Sequence, residues 1–204
     1  MKKIIIGIIV VTILALALVG CGERNDVSYS DLNNMVDMEY RLVNLEVHTT
    51  MSGVTLVNRF WSSSASNGTM VTYIVEELAT FDQMPGSDDY SVPEKMIVQK
   101  EGSATIKNGV IVEQDGHAVN IPVDSLQSLS VEFVKSYFTN TKSYFDNYNV
   151  FEADVTNPRA FTGNQNFDGT NMHVTVHYND KLAKMIIDYT TSKGATVKVI
   201  YTFG

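Results

Sequence analysis

The sequence predicts an α+β fold that is mainly antiparallel β, in which a strongly curved sheet or half-barrel is covered by one or two helices. Short runs rich in Val, Thr and Tyr are separated by Gly, Asn and Asp, which is typical of strands joined by tight turns. Residues 172–203 alternate apolar and polar side chains, as in a sheet with one buried face. A single apolar stripe with helical spacing precedes that ending and is suited to cover it.

The first elements are a short helix and three strands. Ser30 is predicted to cap a helix over residues 31–37, with Leu32 and Val36 on one face. Residues 40–49 and 54–61 are extended runs around the turn Ser52-Gly53, and they form a predicted hairpin. A third predicted strand covers residues 69–79, and 85–91 is a predicted loop.

Four short strands are predicted next, over residues 95–99, 104–107, 110–114 and 118–121. The dipeptides Asn108-Gly109 and Asp115-Gly116 supply the turns between them, because both are strong hairpin signals. The period then changes from two to about 3.6, which predicts a helix from Asp124 or Ser125 to about Phe138. Its apolar stripe consists of Leu126, Leu129, Phe133 and Tyr137.

The chain ends in a predicted three-stranded antiparallel meander. Its apolar face carries Met172, Val174, Val176 and Tyr178, then Ala183, Met185, Ile187 and Tyr189, then Val197, Val199, Tyr201 and Phe203. The opposite face is polar. Either the amphipathic helix fills the apolar side as a solid core, or the sheet curls around a cavity. Aromatic enrichment over residues 133–151 fits both alternatives, as a core plug or as a lid over an apolar cavity, and a contact face for a partner or the bilayer is a third alternative.

The N-terminus has the three-part layout of an export signal. Lys2 and Lys3 precede an apolar run from Ile4 to Val19, and the run stops at Leu18-Val19-Gly20-Cys21. Those four residues resemble the lipobox of bacterial lipoproteins, in which the Cys is acylated and becomes the new N-terminus. The run of about sixteen residues is short for a spanning helix, although an uncleaved single-pass anchor is the alternative. We predict a signal peptide over 1–20, a tether over 21–29 and one antiparallel-β-rich domain over 30–204.

The lipobox resemblance implies a diacylglycerol on Cys21, the only cysteine in the 204 residues. The mature chain would then be lipid-anchored on the extracytoplasmic face of the cell membrane, and a Gram-positive surface is favoured over an outer membrane. Loss of Lys2 and Lys3 with the signal changes the formal net charge from −8 to about −10. An acidic body argues against nucleic acid as a partner and against broad contact with anionic headgroups.

The sequence offers no catalytic motif, and we expect neither an enzyme nor a bound cofactor. It has no Gly-x-Ser-x-Gly elbow and no phosphate-binding loop. His173 and His177 fall in a predicted strand, where a spacing of four puts them about 13 Å apart, too far for the pair to chelate a metal. We therefore expect no metal site.

The order of elements from residue 30 to 204 resembles the half-barrel carriers of bacterial envelopes, the LolA-like and LppX-like proteins. The local match is closest over Met185–Thr191 and Val197–Phe203. The resemblance implies a curved sheet that holds helices and acyl chains in its concavity. We therefore expect a non-enzymatic carrier for a lipid or other apolar ligand, and the alternative is an envelope protein with a solid core that binds a protein partner. The predicted pocket lining is Leu129, Phe133, Tyr137, Met185, Ile187, Val197, Val199 and Tyr201.

Overall fold

In a computed structural model of the protein, which describes residues 28–40, 42–65, 68–79, 96–127 and 129–204, ten antiparallel strands form one sheet that does not close. The predicted signal peptide, most of the predicted tether and the predicted loop at 85–91 lie outside these residues. The prediction of a mainly antiparallel β fold with few helices is confirmed.

The described elements follow one another in a simple order. They are α1 (Tyr29–Val36), β1 (Leu42–Met51), β2 (Val54–Ala65), β3 (Gly68–Ala79), β4 (Met96–Lys107), β5 (Val110–Gly116), α2 (Val123–Gln127), a 3-10 helix (Lys135–Tyr137), β6 (Phe138–Asp146), β7 (Tyr148–Val155), α3 (Pro158–Phe161), β8 (Thr170–Tyr178), β9 (Leu182–Thr190) and β10 (Thr196–Phe203).

The sheet consists of two meanders that meet at its centre. Its strand order is β5-β4-β3-β2-β1-β10-β9-β8-β7-β6, so the first and last strands of the chain are neighbours. Leu45 of β1 lies opposite Tyr201 of β10. This pairing supplies backbone hydrogen-bond partners to one edge strand of each meander. It leaves β5 and β6 as the edges of the sheet. On β6, a register shift between Thr139 and Lys142 and the left-handed Asn140 disrupt the ladder, which discourages edge-to-edge association.

One row of residues crosses the sheet on its core face. It consists of Phe151, Val176, Met185, Tyr201, Leu45, Phe60, Tyr73 and Gly102. All of the apolar members except Tyr201 are fully buried. Gly102 is required beneath Tyr73, because a Cβ there would collide with the tyrosine ring and hydroxyl.

Helix α1 forms close to where it was predicted. Leu32, Met35 and Val36 are its buried residues, spaced three and four apart. The cap is Ser28 rather than the predicted Ser30: the Ser28 hydroxyl accepts a hydrogen bond from the backbone N–H of Asp31 at 3.2 Å. The prediction of Ser30 as the cap was therefore wrong, because Ser28 supplies the hydroxyl two residues earlier.

The hairpin turns follow their sequence signals. Ser52 and Gly53 both have positive φ, and so do Asn108 and Gly109, as a two-residue type I′ turn requires. The β1–β2 hairpin, β3 and the terminal meander are confirmed.

The strand predicted at 110–114 is confirmed as β5, but the prediction of four separate strands over 95–121 was wrong. Residues 96–107 form the single strand β4, and its Gly102 marks a close approach of Tyr73 rather than a break. Gly116 ends β5 instead of forming a turn with a following strand. Residues 118–121 are not a strand, although Val119 and Ile121 pack into the core.

The long helix predicted from 125 to 138 was also wrong. Among the described residues of that stretch, only the segment Val123–Gln127 is α-helical, and the chain from 129 to 134 has no helical backbone. The backbone of Phe133 bonds instead to the Asn33 side chain: its N–H donates to Oδ1 at 2.7 Å, and its carbonyl accepts from Nδ2 at 2.9 Å. The N–H of Glu132 donates to the carbonyl of Phe161. These partners replace helical hydrogen bonds, and they make every second residue from Leu129 to Phe133 pack inward.

The core consists of two hydrophobic clusters. Cluster 1 contains buried residues of α1, β6–β9, Phe133 and Phe161. Cluster 2 contains Leu45, Phe60, Val71, Tyr73, Ala104, Ile106, Ile121 and Leu126. Val199 and Tyr201 of β10 contact both clusters, which places the junction along the central strand. Within the described ranges, no helix is long and apolar enough to cross a bilayer.

Candidate functional site

A groove of about 600 Å³ lies at one end of the sheet, where β1 begins and β2 and β10 end. We call this the groove end, and it also contains the β6–β7 and β8–β9 turns. Helix α1 leads into the groove through residues 36–40, and α2 contributes its opposite wall. The groove therefore lies where α1 of cluster 1 faces α2 of cluster 2 across the central strands.

The apolar lining of the groove comes from several elements. It consists of Val36, Met38, Tyr40, Val43, Leu126, Leu129 and Phe203. Tyr40 and Phe203 pack ring on ring, with centroids 4.6 Å apart. These rings form a rigid aromatic wall, because aromatic side chains bury large area at a small cost in rotamer entropy.

Tyr40 is fixed in place by two hydrogen bonds. Its hydroxyl donates to the carbonyl of Met35 at 2.8 Å and accepts from the N–H of Leu182 at 3.1 Å. The first bond ties Tyr40 to the end of α1, and the second ties it to the start of β9. Burial raises the pKa of Tyr40, and the hydrogen bond from Leu182 offsets this in part. The hydroxyl therefore stays protonated and can donate throughout the neutral range.

The polar lining of the groove includes both hydroxyls and carboxylates. Its members are Asp37, Glu39, Ser62, Ser64, Thr69, Ser125 and Gln127. Ser62 is buried, and its hydroxyl donates to the carbonyl of Val43 at 2.8 Å. The groove thus offers an apolar wall beside polar groups, which is the arrangement that amphipathic ligands need.

Tyr201 connects the groove to the core. Burial raises its pKa, and a hydrogen bond with the Ser125 side chain offsets part of the rise. Ser125 lines the groove, so Tyr201 lies beside the wall that α2 contributes.

The predicted pocket residues do not come together around one cavity. Phe133, Met185 and Ile187 are buried inside cluster 1, and Leu129 and Tyr137 pack at its margin. Val199 and Tyr201 lie between the clusters. Val197 is buried nearer the opposite end of β10, beside a shallow depression that includes His48 and Asp188. Leu129 is the member of the predicted set that lines the groove.

Sequence reasoning missed several of the groove residues. Phe203 belongs to the apolar alternation of β10, so the pattern contained the signal for its inclusion. Met38 and Tyr40 follow α1 without any periodic pattern, and only their tertiary contacts reveal them. Val43 was recognised as a strand residue, but its place beside the groove depends on the β1–β10 pairing, which joins residues far apart in sequence.

The polar face of the sheet carries charged groups in cross-strand contact. His173 Nδ1 lies 2.8 Å from Asp154 Oδ1, and Asn140 donates to Asp154 Oδ2 at 2.7 Å. The bonds from Asn140 and His173 lower the pKa of Asp154. Lys198 Nζ lies 3.6 Å from Asp188 Oδ1 on the next strand. Among the described residues, no three potential metal ligands converge on one point.

Tyr144 on the same face gives a test of the hydrogen-bond network. Its hydroxyl donates to Glu152 Oε1 at 2.6 Å, and this bond raises the pKa of Tyr144 to about 12. The folded state holds the phenolic proton more tightly, so the resulting stability is complete below pH about 10 and is lost as the pH rises toward 12. Over that pH range, we expect the free energy of unfolding to fall less in Tyr144→Phe than in the wild type. Urea unfolding at several pH values measures the difference. Tyr148→Phe, which leaves the contact with Glu152 in place, is the control, and an equal change in both variants would contradict the assignment.

Comparison of this chain with protein-family models, curated protein sequences and solved structures found no match.

Proposed function

We propose that the chain is a membrane-anchored extracytoplasmic lipoprotein that binds a lipid or another apolar ligand in the groove. The observation that carries the proposal is the groove itself, whose apolar wall adjoins polar groups at the junction of the two clusters. Its volume of about 600 Å³ is within the range of small-molecule sites, about 300–1,000 Å³. In this proposal the sheet curves around α1 and α2 as a half-barrel.

The chemistry of the lining predicts the kind of ligand. An alkyl chain against Val43, Leu129 and Phe203 would gain about 0.8 kcal/mol for each methylene removed from water. Asp37 and Glu39 in the same groove favour a neutral or positively charged polar group over an anionic one. The ligand that fits best is therefore an amphiphile without net negative charge at its polar end.

Filling the groove is expected to abolish binding. Ser64 is an exposed residue of β2 that lines the groove, and Ser64→Trp places an indole in the space that the ligand would occupy. We expect the affinity for a lipophilic fluorescent dye to fall at least about tenfold, which corresponds to about 1.4 kcal/mol. Native mass spectrometry of gently extracted protein should show a bound lipid in the wild type and none in this variant.

Thr202→Trp is the matched control. Thr202 is an exposed strand residue on the polar face of β10, so its substitution adds the same side chain outside the groove. Equal loss of dye binding in the two variants would contradict the groove as the site. Wild-type protein that carries no lipid and binds no dye would contradict ligand binding altogether.

A second function is supported by a different observation. Phe133, Met185 and Ile187, which were predicted to line the pocket, are buried in cluster 1 among other side chains. This packing favours the alternative of an envelope protein with a solid core that binds a protein partner. The dye experiment separates the two functions, because only the first requires the groove to bind a ligand.

A further inference from the structure

Exposed hydrophobic side chains are concentrated at the groove end of the sheet. Within the described part of the chain, the group at the strand ends and turns consists of Met38, Leu42, Met70, Val110, Phe145 and Tyr148. Phe145 is 68% exposed, Val110 61% and Met70 55%. At the opposite end, the exposed hydrophobic residues that the structure describes are Met51, Val54 and Leu56 of the β1–β2 hairpin, and Trp61, Val112 and Tyr144 lie within strands. The side chains at the groove end are spread along the row of strand ends from the edge strand β5 to the edge strand β6, an arrangement that suits contact with one extended surface rather than with a compact partner.

We propose that the groove end is the surface that rests on the lipid bilayer, with these six side chains in the membrane interface. This inference rests on the proposed function, because it assumes that acylated Cys21 anchors the protein. It adds an orientation: the groove, lined by Met38 from the same group, then faces the membrane and can exchange ligand with it directly.

The tether is long enough to let the groove end reach the bilayer. Seven residues, 22–28, separate Cys21 from the start of α1, and at full extension they span about 24 Å. Helix α1 covers about 12 Å and leads toward the groove end, where Tyr40 bonds to the first residue of β9. The tether is therefore long enough to fold back along α1 and place the lipid at the groove end. It is too short to hold the body far from the membrane.

The side chains at the tip of the β6–β7 hairpin suit the interface. Asn147, which has positive φ, makes the turn between Asp146 and Tyr148, and Phe145 projects beside it. Tyr148 packs edge-on against His177 with centroids 6.4 Å apart, so its ring is supported from the sheet. Aromatic rings with a polar partner are the side chains that concentrate at membrane–water interfaces.

The charges at the groove end specify the kind of contact. Among the residues that the structure describes, the acidic Asp37, Glu39, Asp146 and Asp180 outnumber the basic Lys107 and Lys181 there. Anionic headgroups would not attract such a surface, so the contact must come from apolar burial. We therefore expect docking on phosphatidylcholine vesicles with no requirement for an anionic lipid.

Tryptophan quenching by brominated phosphatidylcholine tests the orientation. The chain has one Trp, and Trp61→Phe removes it. In that background Phe145→Trp places the probe at the groove end, and Met51→Trp places it at the opposite end, at a residue that is 52% exposed. With acylated full-length protein in vesicles, we expect the Phe145→Trp emission to fall roughly twofold or more and the Met51→Trp emission to be unchanged.

Two further readouts separate this inference from the proposed function. Flotation of the vesicles reports whether the protein is anchored, and dye binding reports whether the groove accepts a ligand. If the protein floats and binds dye but Phe145→Trp is not quenched, or Met51→Trp is quenched equally, the orientation is wrong and the proposed function stands. If the protein does not float, the anchor and the orientation are both wrong.

Discussion

Replacing Phe133 with Ala is expected to lower the free energy of unfolding by about 3–5 kcal/mol. The Phe133 side chain is 1% exposed and belongs to cluster 1. Its ring stacks on Phe138 with centroids 5.7 Å apart, and it meets Phe151 and Phe161 edge to face at 6.0 and 5.5 Å. Truncation removes these contacts and leaves a cavity in the most aromatic part of the core. Urea unfolding of the variant and the wild type measures the difference.

Phe145→Ala is the control for this substitution, because Phe145 is exposed and its removal is expected to change stability by about 0.5 kcal/mol or less. The Phe133 result also decides between the two alternatives left open by the sequence. A ring that lined an open cavity would have contacts on one side only, and its truncation would cost about 1 kcal/mol. A loss that small would contradict a packed core around Phe133 and would restore it as a ligand-binding residue.

The strands were predictable where their pattern is local. The turns Ser52-Gly53 and Asn108-Gly109 need positive φ at both residues, and the alternation in β8–β10 places one face in the core. Both features involve residues close together in sequence. The pairing of β1 with β10 has no local signal, because it joins residue 43 to residue 203, and it determines where the groove forms.

The wrong helix over 125–138 shows how a tertiary contact can override a periodic pattern. Leu126, Leu129, Phe133 and Tyr137 have helical spacing, yet Leu129, Val131 and Phe133 also have the spacing of an extended chain. The Asn33 side chain favours the extended backbone, because it forms hydrogen bonds with both the N–H and the carbonyl of Phe133. Asn33 lies a hundred residues away along the chain, so sequence periodicity could not include it.

The contact between Asn33 and Phe133 also explains why Leu129 is the member of the predicted pocket lining that lies in the groove. A helix over 125–138 would have stood over the sheet and enclosed a cavity against β9 and β10. The extended chain instead inserts Phe133 into cluster 1, and the groove is displaced to the end of the sheet beside Leu129. The residue types of the predicted lining were appropriate for an apolar site, but their arrangement depended on the wrong helix.

Replacing Cys21 with Ser is expected to abolish membrane attachment. Acylation supplies about 0.8 kcal/mol for each methylene buried in the bilayer, and several chains on one residue hold a protein firmly where a single chain binds reversibly. Serine has no thiol to form the thioether, so the variant should carry no acyl chains and, once the signal peptide is removed, should be recovered in the soluble fraction. Fractionation and intact mass of the product measure both outcomes, and the mature wild type should exceed its polypeptide mass by that of the acyl groups.

Asn25→Ser is the matched control, because it alters a polar tether residue and leaves the thiol in place. We expect it to fractionate with the membrane and to carry the same lipid as the wild type. Membrane attachment of the Cys21→Ser product at unchanged mass would instead support the uncleaved single-pass anchor. The body would then be attached by a spanning helix rather than by lipid, and the short reach of residues 22–28 would still keep it close to the bilayer. Vesicle quenching and cysteine replacement therefore test separate statements, one about orientation and the other about the chemistry of the anchor.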